Sequence, residues 1–176
     1  MKIEDLRYVN QLAGDMKTRM PEAEFWIYHF TITFARLEYA LKKIPKFLKE
    51  TEGGAAEANW FAFAESISQR TYNINVNNDQ IKLAIGYIME ETPGVLKVID
   101  NKVEWEWRKF QSLNKLQILC VYLCRIRNNL LHGNKFEGNF EPETRNYKLI
   151  TSALVIMDFI LRLDPELKRH FLDWTV

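Results

Sequence analysis

The chain has 176 residues, of which 47% are hydrophobic and 27% are charged, the composition of an ordinary globular protein that can bury a substantial core. Its 24 Lys and Arg residues nearly balance its 23 Asp and Glu residues, so the formal net charge is only +1. This balance excludes a protein that binds nucleic acid through its overall charge, and any such binding must come from a local patch.

The sequence predicts neither a targeting segment nor a membrane span. The start of the chain lacks the uninterrupted apolar run of a signal peptide. The most apolar stretch, residues 149–163, contains polar and charged residues and is shorter than the ~20 apolar residues that cross a bilayer. We therefore expect a cytoplasmic protein with no membrane partner.

A long helix is predicted over residues 21–49. Pro21 and the acidic residues after it suit a helix N-terminus, although Pro45 threatens to kink or end the helix. Apolar residues recur at steps of three and four at Phe30, Phe34, Leu37, Leu41, Ile44 and Leu48. Glu-Gly-Gly at residues 52–54 breaks the helical pattern.

Two shorter features follow. A second helix is predicted at about residues 58–69, and a third, capped by Asn78 or Asp79, runs to about Glu91. Residues 95–110 are the one stretch with strand-like alternation. A short hairpin or an extended arm is one interpretation of this stretch, but alternation over so few residues is a weak signal.

Further helices are predicted in the last third of the chain. Ser112 is a suitable N-cap for a helix that ends near Gly133. A long helix covers about residues 143–163, and Asp-Pro-Glu at 164–166 opens a short terminal helical turn. Together the elements predict an all-α bundle of roughly five to six helices, forming a single domain over residues 1–176.

Cys120 and Cys124 lie one helical turn apart in an apolar stretch. No cluster of Cys or His elsewhere in the sequence completes a set of four metal ligands, so buried core thiols are the favoured interpretation. We expect no metal and no other cofactor.

Three polar side chains, Arg127, Asn128 and His132, crowd the end of the helix that carries the cysteines. Asn128 and His132 share a helix face, whereas Arg127 lies about 100° round the helix, on the stripe that packs against a neighbour. A guanidinium can bind phosphate oxygens, an imidazole can carry a proton near neutral pH, and an amide can orient either group. The trio could activate a ribose 2′-hydroxyl and stabilise charge on phosphorus without a metal.

One such trio lacks the second proton carrier that a full acid–base mechanism needs. Two copies facing each other across a two-fold axis would supply it, so we expect a homodimer with a shared site and RNA as its partner. The same residues also have a purely structural interpretation. Arg127 and His132 would then interact with the dipole and terminal carbonyls of the helix, and Gly133 would end it. The spacing alone leaves both interpretations open.

The segment RNNLLHG, residues 127–133, resembles the Arg-x4–6-His signature of the HEPN superfamily, in which a polar residue commonly follows the arginine. Four residues separate Arg127 from His132. Arg125 fits the looser spacing with six residues between, but Arg127 is followed directly by Asn128 and is the better match.

The resemblance extends beyond this motif. FARLEYALK at residues 34–42 and NWFAFA at residues 59–64 are similar to the helices that precede the motif in prokaryotic HEPN proteins. The long apolar helix after the motif is similar to the end of such proteins. The resemblance therefore covers most of residues 22–166, with the Arg–His element as its only specific catalytic motif.

This resemblance implies an all-α homodimer and often an endoribonuclease that cuts RNA without metal, leaving a 2′,3′-cyclic phosphate and a 5′-hydroxyl. The implied settings are toxin–antitoxin and antiviral defence, with an antitoxin or a defence-system protein as a further partner. Other members keep the fold as a non-catalytic interaction module, antitoxin-like or complex-forming, which is the alternative function here. The chain lacks the tyrosine that shortly follows the histidine in some HEPN toxins, since Phe136 is the nearest aromatic residue.

Further residues could support such a site. Glu38, beside the apolar stripe of the first helix, could hold Arg127 in position, although a solvated helix edge is an equally good interpretation. Lys135 is the best candidate for a phosphate contact, followed by Arg125. Core and dimer packing, rather than base stacking, is expected for five aromatic residues, Trp60, Phe61, Phe63, Trp105 and Trp107.

Overall fold

The structure, a computed structural model, describes residues 10–11, 13–14, 17–18, 21–71, 78–110, 112–131, 141 and 143–173. The helices in this part of the chain are α1 (Ala23–Lys42), α2 (Trp60–Thr71), α3 (Asp79–Glu90), α4 (Lys115–Leu131), α5 (Arg145–Leu163) and α6 (Pro165–Leu172). The strands are β1 (Leu48–Glu50), β2 (Ala56–Ala58), β3 (Val95–Ile99) and β4 (Lys102–Glu106), and they form two antiparallel hairpins, β1–β2 and β3–β4.

The predicted helical fold is confirmed in its coarse form, because the described residues are mostly helical. The all-α class is too narrow, since two small antiparallel sheets accompany the helices. Each sheet lies where a local backbone constraint interrupts the helical pattern.

The first interruption follows α1. The predicted helix extends to residue 49, but α1 ends at Lys42 because a proline disfavours the helical conformation of the residue before it. Ile44 is accordingly extended, with φ −100° and ψ 111°, and Pro45 begins a single 3-10 turn. The chain then enters the β1–β2 hairpin, whose connection contains Gly53 and Gly54 at φ +100° and +80°.

The second hairpin occupies the stretch with alternating residues. Asp100 and Asn101 connect β3 to β4, and both have positive φ, 51° and 60°. Two consecutive left-handed residues are the signature of a type I′ turn, whose twist matches that of the flanking strands. The hairpin interpretation of residues 95–110 is therefore correct for residues 95–106.

The sequence predicts N-cap residues for two helices, α3 and α4. Asn78 caps α3 as predicted, since its side-chain oxygen accepts a hydrogen bond from the Ile81 N–H. At α4 the predicted cap, Ser112, is wrong. The Asn114 side chain accepts from the Gln117 N–H at 2.9 Å, and the Gln117 side chain accepts from the Asn114 N–H at 3.0 Å. This reciprocal pair satisfies two backbone donors at once.

The helices share one buried core in which α5 packs against both α1 and α3, while α4 packs against α2. Arg36 of α1 also donates to the Phe171 carbonyl at the end of α6, at 2.8 Å, and so ties the last helix to the first. No helix in the described part of the chain is long and apolar enough to cross a membrane.

Residues 92–94 form a buried irregular link between α3 and β3. A Cβ atom on Gly94 would lie 2.9 Å from Trp105 Cε3 and 3.1 Å from Trp107 Nε1, so this position has room for glycine alone. The Thr92 carbonyl accepts a hydrogen bond from Arg145 Nη2 at 3.0 Å. The link is therefore packed tightly between the second hairpin and the helices.

We predict that Gly94→Ala lowers the free energy of unfolding by about 1–3 kcal/mol, because the new methyl group overlaps the Trp105 ring. The matched control is Gly86→Ala in α3, where a Cβ meets nothing within 4 Å. Removing a glycine from a helix should raise stability by about 0.5–1 kcal/mol. Urea denaturation of both variants measures the difference, and shifts of the same sign would contradict the close packing described for Gly94.

Candidate functional site

The described part of the predicted site is the last turn of α4. Arg127 and Asn128 lie there, whereas His132 and Lys135 lie outside the described residues. Leu131, the last residue of α4, has 59% of its surface exposed, so the helix ends at the protein surface. Of the predicted trio, the structure therefore describes the guanidinium of Arg127 and the amide of Asn128.

The side chain of Arg127 contacts two residues of α1. Its Nη2 atom lies 3.5 Å from Glu38 Oε1, and its guanidinium carbon lies 5.1 Å from the centroid of the Phe34 ring. The side chain of Arg127 is 30% exposed and that of Glu38 is 27% exposed. The contact between Glu38 and Arg127 that the sequence suggested is present, and its role in a site stays a prediction.

This contact fixes the guanidinium without using all of its donors. The separation of 3.5 Å is long for a charge-assisted hydrogen bond, so Glu38 attracts Arg127 mainly through its charge. Arg127 Nε is buried and has no hydrogen-bond partner among the described residues. A guanidinium has five N–H donors, so Arg127 keeps donors for an anion that approaches its exposed edge.

Asn128 faces a different part of the surface. It is exposed and lines an open groove of about 270 Å³ together with Trp60 and Phe61. Successive residues of a helix are about 100° apart, which places Arg127 toward α1 while Asn128 faces the groove. No hydrogen bond joins the side chains of Arg127 and Asn128 within the described residues, and the orienting role predicted for Asn128 stays a prediction.

Arg125 is engaged in holding the chain that precedes α4. Its Nη1 atom donates to the carbonyls of Pro93 and Arg108, each at 3.2 Å, and its guanidinium lies 4.9 Å from the Phe110 ring centroid. Burial lowers the pKa of this guanidinium from its ordinary value. These contacts give Arg125 a structural role, and the phosphate contact predicted for it stays a prediction.

Asn129 is a residue whose importance the sequence analysis missed. It is only 5% exposed, and its Nδ2 atom donates to the Gly94 carbonyl at 3.0 Å. The signal was present in the sequence, because Asn129 lies three residues after Ile126 and seven after Tyr122, on the buried stripe of α4. An amide at such a position must have a partner in the core.

The sequence analysis favours buried core thiols for both cysteines. Cys120 is buried, whereas Cys124 is only partly buried. Burial raises the pKa of the Cys124 thiol to about 12 and raises that of Cys120 as well. Both thiols are therefore neutral at physiological pH. Among the described residues there is no group of three or more His, Cys, Asp or Glu side chains arranged to hold a metal ion.

Comparison of the chain with models of protein families, with curated proteins and with solved structures found no match. The function is therefore inferred from the residues of the site and from their geometry.

The adjacent residues Asn128 and Asn129 should respond differently to substitution. We predict that Asn129→Ala lowers the free energy of unfolding by about 1–3 kcal/mol, because the buried Gly94 carbonyl loses its donor. Asn128→Ala should change it by less than about 0.5 kcal/mol, since the side chain is exposed. Thermal or urea denaturation of both variants provides the measurement, and an equal loss in the two would contradict the assignment of Asn129 to the core.

Proposed function

We propose that the protein is a HEPN-type, metal-independent endoribonuclease in which Arg127 and His132 act on RNA at a site shared by two copies of the chain. The proposal combines the resemblance of residues 127–133 to the HEPN motif with the setting of Arg127. A cytoplasmic role in toxin–antitoxin or antiviral defence follows from the same resemblance, with an antitoxin or a defence-system protein as a further partner.

The observation that carries the proposal is the orientation of Arg127 at the end of α4. Its guanidinium is held between Glu38 and the Phe34 ring, five residues before His132, and its side chain stays 30% exposed. A fixed cation with unused donors is suited to the charge that develops on a phosphate in the transition state, because little reorganisation is needed during reaction.

In the proposed reaction, a ribose 2′-hydroxyl attacks the adjacent phosphorus. His132 takes the hydroxyl proton as the new P–O bond forms, and the bond to the 5′ oxygen of the next nucleotide breaks. His132 of the partner copy donates a proton to that leaving oxygen. Arg127 stabilises the added negative charge on the non-bridging oxygens. The products are a 2′,3′-cyclic phosphate and a 5′-hydroxyl.

A shared site requires a dimer. We predict that light scattering gives twice the mass of one chain at tens of micromolar protein, because each copy of the trio supplies a single proton carrier. A protein that remains a monomer at this concentration would contradict the composite site and favour the non-catalytic alternative.

We predict that Arg127→Ala and His132→Ala each lower RNA cleavage by about 100-fold or more when the assay contains EDTA. The wild-type protein should cleave under the same conditions, because the proposed steps use only the imidazole, the guanidinium and the 2′-hydroxyl. Arg127→Lys separates charge from geometry, since it keeps the cation and loses the planar fork. Rates are measured on a labelled single-stranded RNA.

The matched control for these variants is Arg162→Ala. Arg162 pairs with Asp158 on the exposed side of α5, and its removal should leave cleavage unchanged. Melting temperatures of all variants show whether each remains folded. Full cleavage by His132→Ala, or a strict requirement for Mg²⁺ in the wild type, would overturn the proposed mechanism.

A non-catalytic HEPN interaction module is the second candidate. A specific observation favours it, because Arg127 already has a carboxylate and a ring as neighbours, which would satisfy a structural arginine. Under this function the wild-type protein does not cleave RNA, and Arg127→Ala lowers the melting temperature without any activity to lose.

A further inference from the structure

The groove beside Asn128 lies between α4, the start of α2 and the β1–β2 hairpin. On α4 it extends from Gln117 to Asn128, which corresponds to about 16 Å at 1.5 Å per residue. Its volume of about 270 Å³ is just below the ~300–1,000 Å³ typical of pockets for drug-sized ligands. The groove is therefore suited to a ligand fragment of about the size of one nucleotide.

One wall of the groove is aromatic. Trp60 is partly buried and packs against Phe34 with ring centroids 5.4 Å apart, whereas Phe61 has 50% of its surface exposed. Phe61 therefore does not pack in the core of a single chain, and the dimer packing that the sequence analysis also allows for it stays a prediction. An exposed ring keeps a π-face available, and bases stack on such faces with little dependence on their identity.

The groove also has polar side chains that suit the edge of a base. Asn128 has no hydrogen bond or ion pair within the described residues, so its amide can both donate and accept. Asn59 uses its Oδ1 to accept from the Ala62 N–H at 3.0 Å, and its Nδ2 has no partner in the same part of the chain. Amides pair with the donor and acceptor groups on base edges.

The charges around the groove leave one cation that can meet a phosphate at its rim. Its charged lining residues are Lys49, Glu57 and Arg125, of which two are cationic. Lys49 and Glu57 are direct neighbours across the β1–β2 ladder. Arg125 is already occupied by backbone carbonyls, so Lys49 is the cation best placed to meet a phosphate.

The groove adjoins the Arg127 site through one side chain. Arg127 lies over the Phe34 ring, and the same ring packs against Trp60 in the wall of the groove. Asn128 follows Arg127 directly in the chain. Arg127 and the wall of the groove therefore contact the same buried ring.

We infer that the groove binds one unpaired nucleobase of a single-stranded RNA, stacked on Phe61 and hydrogen-bonded by Asn128. This inference rests on the proposed function and names the substrate as single-stranded rather than duplex RNA, because a paired base cannot present a face and an edge to the groove together. It also assigns Asn128 to base binding rather than to orienting Arg127 or His132.

The test is a binding titration with a short single-stranded RNA that carries 2′-O-methyl groups and so cannot be cleaved by 2′-hydroxyl attack. Phe61→Leu keeps an apolar side chain but loses the planar face, and it should weaken binding about tenfold. Phe61→Tyr keeps the ring and should bind like the wild type. The control Phe25→Ala removes a ring from α1 that is 56% exposed and should leave binding unchanged.

A second ligand separates base stacking from charge. An oligomer with the same sugar–phosphate backbone but without bases should bind equally to the wild type and to Phe61→Leu. Asn128→Ala should weaken binding of the complete RNA and leave binding of the abasic oligomer unchanged. Melting temperatures confirm that each variant is folded. Wild-type affinity of Phe61→Leu for the complete RNA, or an equal loss with both ligands, overturns the inference.

The two proposals fail in different ways. The ligand cannot be cleaved, so binding that depends on Phe61 supports the groove whether or not the protein is a nuclease. If unmodified RNA is then not cut, that second result overturns the proposed nuclease alone. Cleavage of unmodified RNA with no dependence of binding on Phe61 overturns the groove alone. Tighter binding of duplex RNA than of the same strand unpaired also contradicts the groove.

Discussion

The buried link at residues 92–94 is the constraint on which the candidate site depends. A buried segment outside helix and sheet must find partners for its backbone carbonyls, because an unpaired buried polar group is costly. Side chains from two helices supply them. Arg145 of α5 donates to the first carbonyl, at Thr92, while Arg125 and Asn129 of α4 donate to the next two. These three hydrogen bonds fix the end of α4 relative to α5 and to the second hairpin.

This arrangement divides the polar residues of α4 by face. Arg125 and Asn129 are four residues apart, share one side of the helix and hold the link. Arg127 and Asn128 lie between them in sequence and are free of that task. Arg127 turns to α1, and Asn128 turns to the groove. The polar residues within 125–129 thus contact three different parts of the protein, namely the buried link, α1 and the groove. Only Arg127 and Asn128 are available for a ligand.

Arg127 illustrates how a partly buried charge is accommodated. Its side chain is only 30% exposed beside α1, and a lone cation there would lose part of its hydration. Glu38 supplies an opposite charge and Phe34 supplies a ring face, so the guanidinium is fixed while part of it remains exposed. The same Phe34 ring supports Trp60, which couples the position of Arg127 to the wall of the groove.

The sequence by itself determined what depends on local chemistry. The periodicity of apolar residues predicted the positions of the main helices, Asn78 was one of two predicted caps, and burial of Cys120 followed from its apolar surroundings. These features depend on residues within a few positions of one another. The family assignment and the role of Arg127 rest on a short motif and stay predictions.

The tertiary structure alone decided which polar residues are structural. Asn129 donates to the Gly94 carbonyl and Arg125 to the Pro93 carbonyl, 35 and 32 positions away in the chain, a separation that periodicity cannot bridge. The first hairpin was missed because its pairing needs a partner strand beyond the break at Gly53. Helix geometry sets the angle between neighbouring side chains, but the fold sets which neighbour each one meets. That is why adjacent residues of α4 lie in the core, against side chains of α1 and in the groove.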